Sequence, residues 1–134
     1  MIPGSPDEQQ ANHHYHNLFE ISSQPSWIYD IAALRFLDVN EAALEHYGYS
    51  KEEFLGMTLH DIRPQEESPA LDEALTLLQN NIPRHSRQIF RHRKKNGEII
   101  DVQIQSRQYN FDGKEARLVL VNDITAIVQS KRVR

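Results

Sequence analysis

Two dipeptides, Asn96-Gly97 and Asp112-Gly113, constrain the second half of this chain more than any other feature. Asn, Asp and Gly tolerate the left-handed backbone that tight hairpin turns demand. Both pairs sit between segments with strand-like sequences, so three consecutive antiparallel strands are predicted at residues 84–95, 98–108 and 116–122. In the middle strand Ile100, Val102 and Ile104 point to one face, while Asp101, Gln103 and Gln105 take the other. The last strand differs. Leu118-Val119-Leu120-Val121 is apolar on both parities, which predicts a central strand covered on both faces.

The first half is punctuated more finely. Residues 1–16 hold Pro, Gly, Ser, Asp, Gln, Asn and His with little to bury, and are expected to be a disordered tail. Leu18, Phe19 and Ile21 make a short amphipathic turn. Residues 26–30 read as a strand, 31–33 as a turn, and Leu34 to Val39 as a second strand pairing back. Asn40 is an N-cap with Glu41 in the first turn, and Ala42, Ala43, Leu44 and Tyr47 follow at helical spacing. Gly48 ends that helix and Gly56 the next, both expected to admit left-handed backbone. Ser50 and Glu53 form a capping box before Phe54 and Leu55. Residues 58–62 add a helical turn that closes before Pro64. Ser68 and Pro69 open a longer helix to Asn80, with Leu71, Leu75 and Leu78 as its buried stripe. After Thr125 another helix can begin and leave the domain. The sum is an α+β domain with five antiparallel strands.

Composition narrows the chemistry. A chain of 134 residues suits one domain. Fifteen Lys and Arg against nineteen Asp and Glu make generic nucleic-acid binding a poor fit. Cysteine is absent, which excludes disulfides, thiolate metal sites and cysteine nucleophiles. The longest apolar run has four residues, far short of a bilayer span, and the start lacks a basic and apolar leader. The expected compartment is the cytoplasm, in isolation or as the cytosolic part of a membrane-anchored protein. His13, His14 and His16 lack acidic partners and a rigid frame, which argues against a metal site. No nucleophile elbow, phosphate-cradling glycine loop or zinc-protease helix is present, so no catalytic residue is assigned. Arg84, Arg87, Arg91, Arg93, Lys94 and Lys95 form a basic strand, read as edge protection or a partner contact rather than a nucleic-acid surface.

Three stretches carry a resemblance to a known family: Val39-Asn40-Glu41-Ala42-Ala43 through Tyr47-Gly48-Tyr49-Ser50 to Gly56, then Arg91 to Glu98, then Asp123-Ile124-Thr125. In this order and spacing they resemble the PAS sensor domain in its "sensory box" form, from about Asn17 to Ile127. The resemblance implies a five-stranded antiparallel sheet of order 2-1-5-4-3, with short helices and one longer helix on one face around a cavity. It divides the chain into a tail (1–16), the PAS sensor domain (17–125) and the start of a C-terminal signalling helix or linker (126–134).

The implied role is a non-catalytic sensory or interaction module that binds a small ligand or partner. It would relay a signal to a downstream effector domain of the same chain, a histidine kinase or a cyclic-di-nucleotide enzyme. The alternative is a ligand-free dimerisation scaffold. Candidate cavity residues are Tyr29, Phe36, Leu44, Tyr47, Leu55, Ile62, Leu71, Leu75, Phe90, Ile100, Val102, Ile104, Leu120 and Asn122. Tyr47 and Asn122 are the informative members, since a buried polar group needs a partner. Asp123 and Thr125 are candidates for signal relay, and Leu18, Phe19 and Ile21 for a weak homodimer contact. The long helix has no His, which argues against haem, and a cysteinyl-flavin bond cannot form. A noncovalent flavin beside Trp27, a small organic ligand and a dry core stay open.

Overall fold

A computed structural model describes residues 17–67 and 89–132. Residues 17–21 are helical. There follow β1 (Ser26–Asp30), β2 (Phe36–Val39), α1 (Glu41–Tyr47), α2 (Lys51–Leu55) and two 3-10 turns, Leu59–Ile62 and Gln65–Glu67. The second half contains β3 (Phe90–Arg93), β4 (Ile99–Phe111), β5 (Lys114–Asp123) and α3 (Thr125–Arg132). The strands form one sheet in the order β2-β1-β5-β4-β3, every neighbouring pair antiparallel. The last strand is therefore central, as its two-sided apolar run requires. The tail, the helix expected from Ser68 to Asn80 with Leu71 and Leu75, and strand residues 84–88 lie outside the described residues.

Local chemistry accounts for most boundaries. Ser50 Oγ accepts the Glu53 N–H while the Glu53 carboxylate accepts the Ser50 N–H, a reciprocal cap. At the next turn Asp61 Oδ2 reaches back to accept the Thr58 N–H at 2.8 Å, while the Asp61 N–H bonds to the Thr58 backbone carbonyl. Gly48 closes α1 at φ 85°, where a side chain would be strained. Gly56 needs no such freedom, because its φ is −90°. The Asn96-Gly97 reversal is a three-residue loop in which Gly97 takes the positive φ and Lys94 O accepts the Gly97 N–H. The other hairpin turns on Asp112 and Gly113, both at positive φ, so its arms run on to Phe111 and from Lys114. Leu34 is not in β2. It sits at φ 59° at the end of the preceding turn, whose N–H groups are gathered by Asp30, and pairing begins at Phe36.

Asn40 fastens the N-terminal half. It is fully buried, and its side-chain oxygen accepts N–H bonds from Ser26 and Ala43, each 3.0 Å. Its side-chain nitrogen donates to Phe19 O and Gln24 O at 3.0 and 2.9 Å. The helix cap is one of four bonds that join the 17–21 segment, β1 and α1.

The sheet separates two apolar clusters. The inner face packs Trp27, Phe36, Val39, Tyr47, Phe54, Phe90, Ile100, Val102, Val119 and Val121 under α1 and α2. The outer face holds Phe19, Ile28 and Ala116, with Leu37, Tyr109, Phe111 and Leu118 packed around them. Replacing Asn40 by Ala removes a cap, worth about 1 kcal/mol, and strips partners from buried backbone groups, at about 1–3 kcal/mol each where water cannot enter. Asn40→Ala is expected to lower the unfolding free energy by about 3–4 kcal/mol in urea titration. A loss under about 1 kcal/mol would mean that the four bonds are not what holds this junction.

Candidate functional site

Two places bring together side chains able to carry function: the inner face of the sheet, and the point where β5 passes into α3.

On the inner face, alternation along each strand aims Trp27 and Tyr29 from β1, Phe90 and His92 from β3, and Ile100 and Val102 from β4 at the same layer. Tyr47, on the buried side of α1, places its hydroxyl 2.7 Å from His92 Nδ1. Burial pushes the Tyr47 phenol well above its ordinary value, the Asp123 charge adding to the effect. Burial pushes the His92 ring well below its own, helped by the Arg63 charge, so His92 is neutral near pH 7. The Trp27 indole meets Phe36 and Tyr47 edge-on, with ring centroids 5.4 and 5.6 Å away.

Of the expected cavity residues, Tyr29, Phe36, Tyr47, Ile62, Phe90, Ile100 and Val102 are buried in this cluster, and Leu44, Leu55 and Ile104 are half-buried against it. Leu120 and Asn122 are not there. Val119 and Val121 take the inward positions of β5, so the strand's period of two turns Leu120 and Asn122 to the other face. Leu120 lines an outer groove and Asn122 is exposed.

His92 was not among the candidates, although it shares strand parity with Phe90, which was. Basic residues flank it on both sides, Arg91 before and Arg93, Lys94 and Lys95 after. Three of them are answered by acids: Lys95 by Glu53 at 3.0 Å, with looser pairs Lys94–Glu98 and Arg91–Asp101 at 3.9 Å.

At the exit, the Asp123 carboxylate makes bonds in two directions. Oδ1 accepts the Thr125 N–H at 2.9 Å and the Thr125 hydroxyl, while Oδ2 lies 2.7 Å from His46 Nε2 on α1. The Thr125 oxygen in turn accepts the Asp101 N–H at 2.9 Å, and Asp101 O accepts the Ile124 N–H at 2.8 Å. The cap expected of Asp123 is present; its link to His46 was not foreseen. Partial burial raises the Asp123 pKa, but the bonds from Thr125 and His46 outweigh it and hold the carboxyl below its ordinary value.

On the outer face, Phe19 is buried against its own sheet, whereas Leu18 and Ile21 stay exposed. Phe19 therefore cannot serve as a free contact for a second copy. A groove of about 190 Å³ opens there, lined by Leu18, Phe19, Ser22, Ser26, Ile28, Tyr109, Leu118 and Leu120. Among the described residues, no three metal-ligating side chains come together, and no helix is long and apolar enough to cross a membrane.

Comparison with known proteins gives a consistent picture. A family model described as "PAS domain" matches residues 9–126. The "Methyl sulfide methyltransferase-associated sensor" of Methanosarcina acetivorans is 24% identical over 119 residues, which cover 87% of this chain and 12% of that protein. The chain thus spans about an eighth of the length of this curated relative. A domain of a sensory box sensor histidine kinase/response regulator from Geobacter sulfurreducens superposes with TM-score 0.72 at 23% identity, covering 90% of this chain and all of that one. A PAS domain from a two-component sensor histidine kinase gives TM-score 0.69 at 23% identity, covering 87% and 98%.

The exit contacts carry a pH signature. A depressed carboxyl pKa contributes stability that is fully present above the unfolded value, near 4, and is lost as pH falls through the folded value. The protection of the Thr125 and Asp101 amides against hydrogen exchange, taken relative to the intrinsic rate at each pH, is expected to hold at pH 5 and to fall below about pH 4. Asp123→Asn should remove that pH step; an unchanged step in the variant would assign it to another group.

Proposed function

The chain belongs to the PAS domain family, and we propose that it is a sensory module of a longer protein. The module binds a small ligand between the inner sheet face and its helices and relays the bound state through the exit. The output domain would be a histidine kinase or a cyclic-di-nucleotide enzyme, acting in the cytoplasm. PAS domains are generally non-catalytic sensory modules, usually found within larger sensors. That background agrees with a curated relative named as a sensor, of which this chain matches a small part.

The observation that supports relay most directly is the double engagement of Asp123. One carboxylate touches α1, which carries Tyr47 into the interior, and also holds the start of α3, which leads away from the domain. A ligand that displaces Tyr47 would move its neighbour His46, and His46 would pull on the cap of α3. The loss of a cap is worth about 1 kcal/mol, enough for a several-fold population shift in a balanced switch. In the full-length protein, Asp123→Ala is expected to uncouple output from stimulus while the domain stays folded by circular dichroism. An unchanged stimulus response would reduce Asp123 to a strand end.

A second reading, a dimerisation scaffold, is favoured by the exposed Leu18 and Ile21 beside the outer groove. Ile21 is 78% exposed, so its replacement leaves the fold alone. If two copies cover this edge, Ile21→Asp shifts the sedimentation profile from dimer towards monomer. An unaltered dimer would locate the contact elsewhere.

A further inference from the structure

Two buried nitrogen atoms of the interior have no hydrogen-bond partner among the described residues: Trp27 Nε1 and His92 Nε2. Trp27 is 2% exposed and His92 0%, so bulk water does not serve them. Buried polar groups are nearly always paired, and an orphan costs stability unless something else meets it. The two rings are neighbours, with centroids 5.7 Å apart.

The identity of the orphans follows from Tyr47. An indole N–H can only donate. The Tyr47 hydroxyl bonds to His92 Nδ1, with no further acceptor for its hydrogen among the described residues. Tyr47 therefore donates to Nδ1, and the single proton of the neutral imidazole resides on Nε2. Both unmet groups are donors. Phe36, Tyr47 and Phe54 surround the indole, a setting that strips water from a charge.

We infer that this corner of the interior recognises a small, uncharged, largely apolar molecule that presents a carbonyl-type oxygen to the Trp27 and His92 N–H groups. The inference rests on the sensory reading above and names the chemistry of its ligand. Amines and other donor ligands are refused, because they would face two donors. His92 is kept from protonation, so the site does not exchange its donor for a cation.

Trp27 is the single tryptophan of the 134-residue chain, so indole ¹⁵N labelling yields one N–H resonance to report on the site. Acetone and isobutene are near-isosteres, and only acetone carries an acceptor. Acetone is expected to shift the Trp27 N–H downfield saturably. Isobutene should bind roughly tenfold more weakly and produce no downfield shift. His92→Phe keeps a ring and removes one donor, so acetone should lose roughly tenfold in affinity while isobutene is unaffected. If that variant does not fold, the two probes on the parent chain decide alone. Equal responses to both probes, no saturable response to acetone, or an ordered water on the indole proton that acetone does not displace would each overturn the inference. None of these readouts depends on relay: an Asp123→Ala protein that no longer signals would still show the acetone shift.

Discussion

One primary amide ties the segments of the first third of the chain to one another. Asn40 uses all of its side-chain hydrogen-bonding capacity, two donors and two acceptor positions, on backbone groups of three separate segments. It does so in full burial, where a half-satisfied amide would be worse than none. Its backbone N–H also pairs with Ser26 O, so the start of β1 is gripped twice. Because the 17–21 segment lies on the outer face and α1 on the inner one, Asn40 joins the two layers at the edge of the sheet. The orientation of α1, and with it the positions of His46 and Tyr47, depends on this junction.

Features set by neighbours in sequence were legible in sequence. The capping box at Ser50, the left-handed Gly48 and the two hairpin turns need only a few residues to be satisfied. The central place of β5 was legible too, for a different reason: apolar residues on both parities state that both faces are covered. That same property hid which parity points inward. The phase is set by Trp27, which pairs with Val119 and draws it to the inner cluster, leaving Leu120 and Asn122 outside.

Contacts made by folding were harder to read. His46 and Asp123 are 77 residues apart, and no local pattern links them. Tyr47 was known to need a partner, yet His92 lay inside a run of Arg and Lys whose charge dominates any composition count. The strand alternation that places Phe90 inward also places His92 inward, so a parity reading would have found it. The charges themselves belong to the edge strand and to the hairpin tip, where they are solvated or paired with Glu53, Glu98 and Asp101.

The sheet order has a consequence for how the domain comes into being. The central strand is the last to be synthesised, yet it pairs with the first, Ser26 opposite Leu120. Without β5, β1 can pair only with β2 and β4 only with β3. Neither hairpin is stable alone, and long-range pairings of this kind close slowly. The sheet can therefore be completed only once its C-terminal strand is available to pair with both β1 and β4. α3 begins directly behind that strand, so its start is fixed only when the sheet is complete. An early stop within β5 would leave two sticky edges and no interior, and such a truncated chain is a substrate for proteases rather than a weaker sensor.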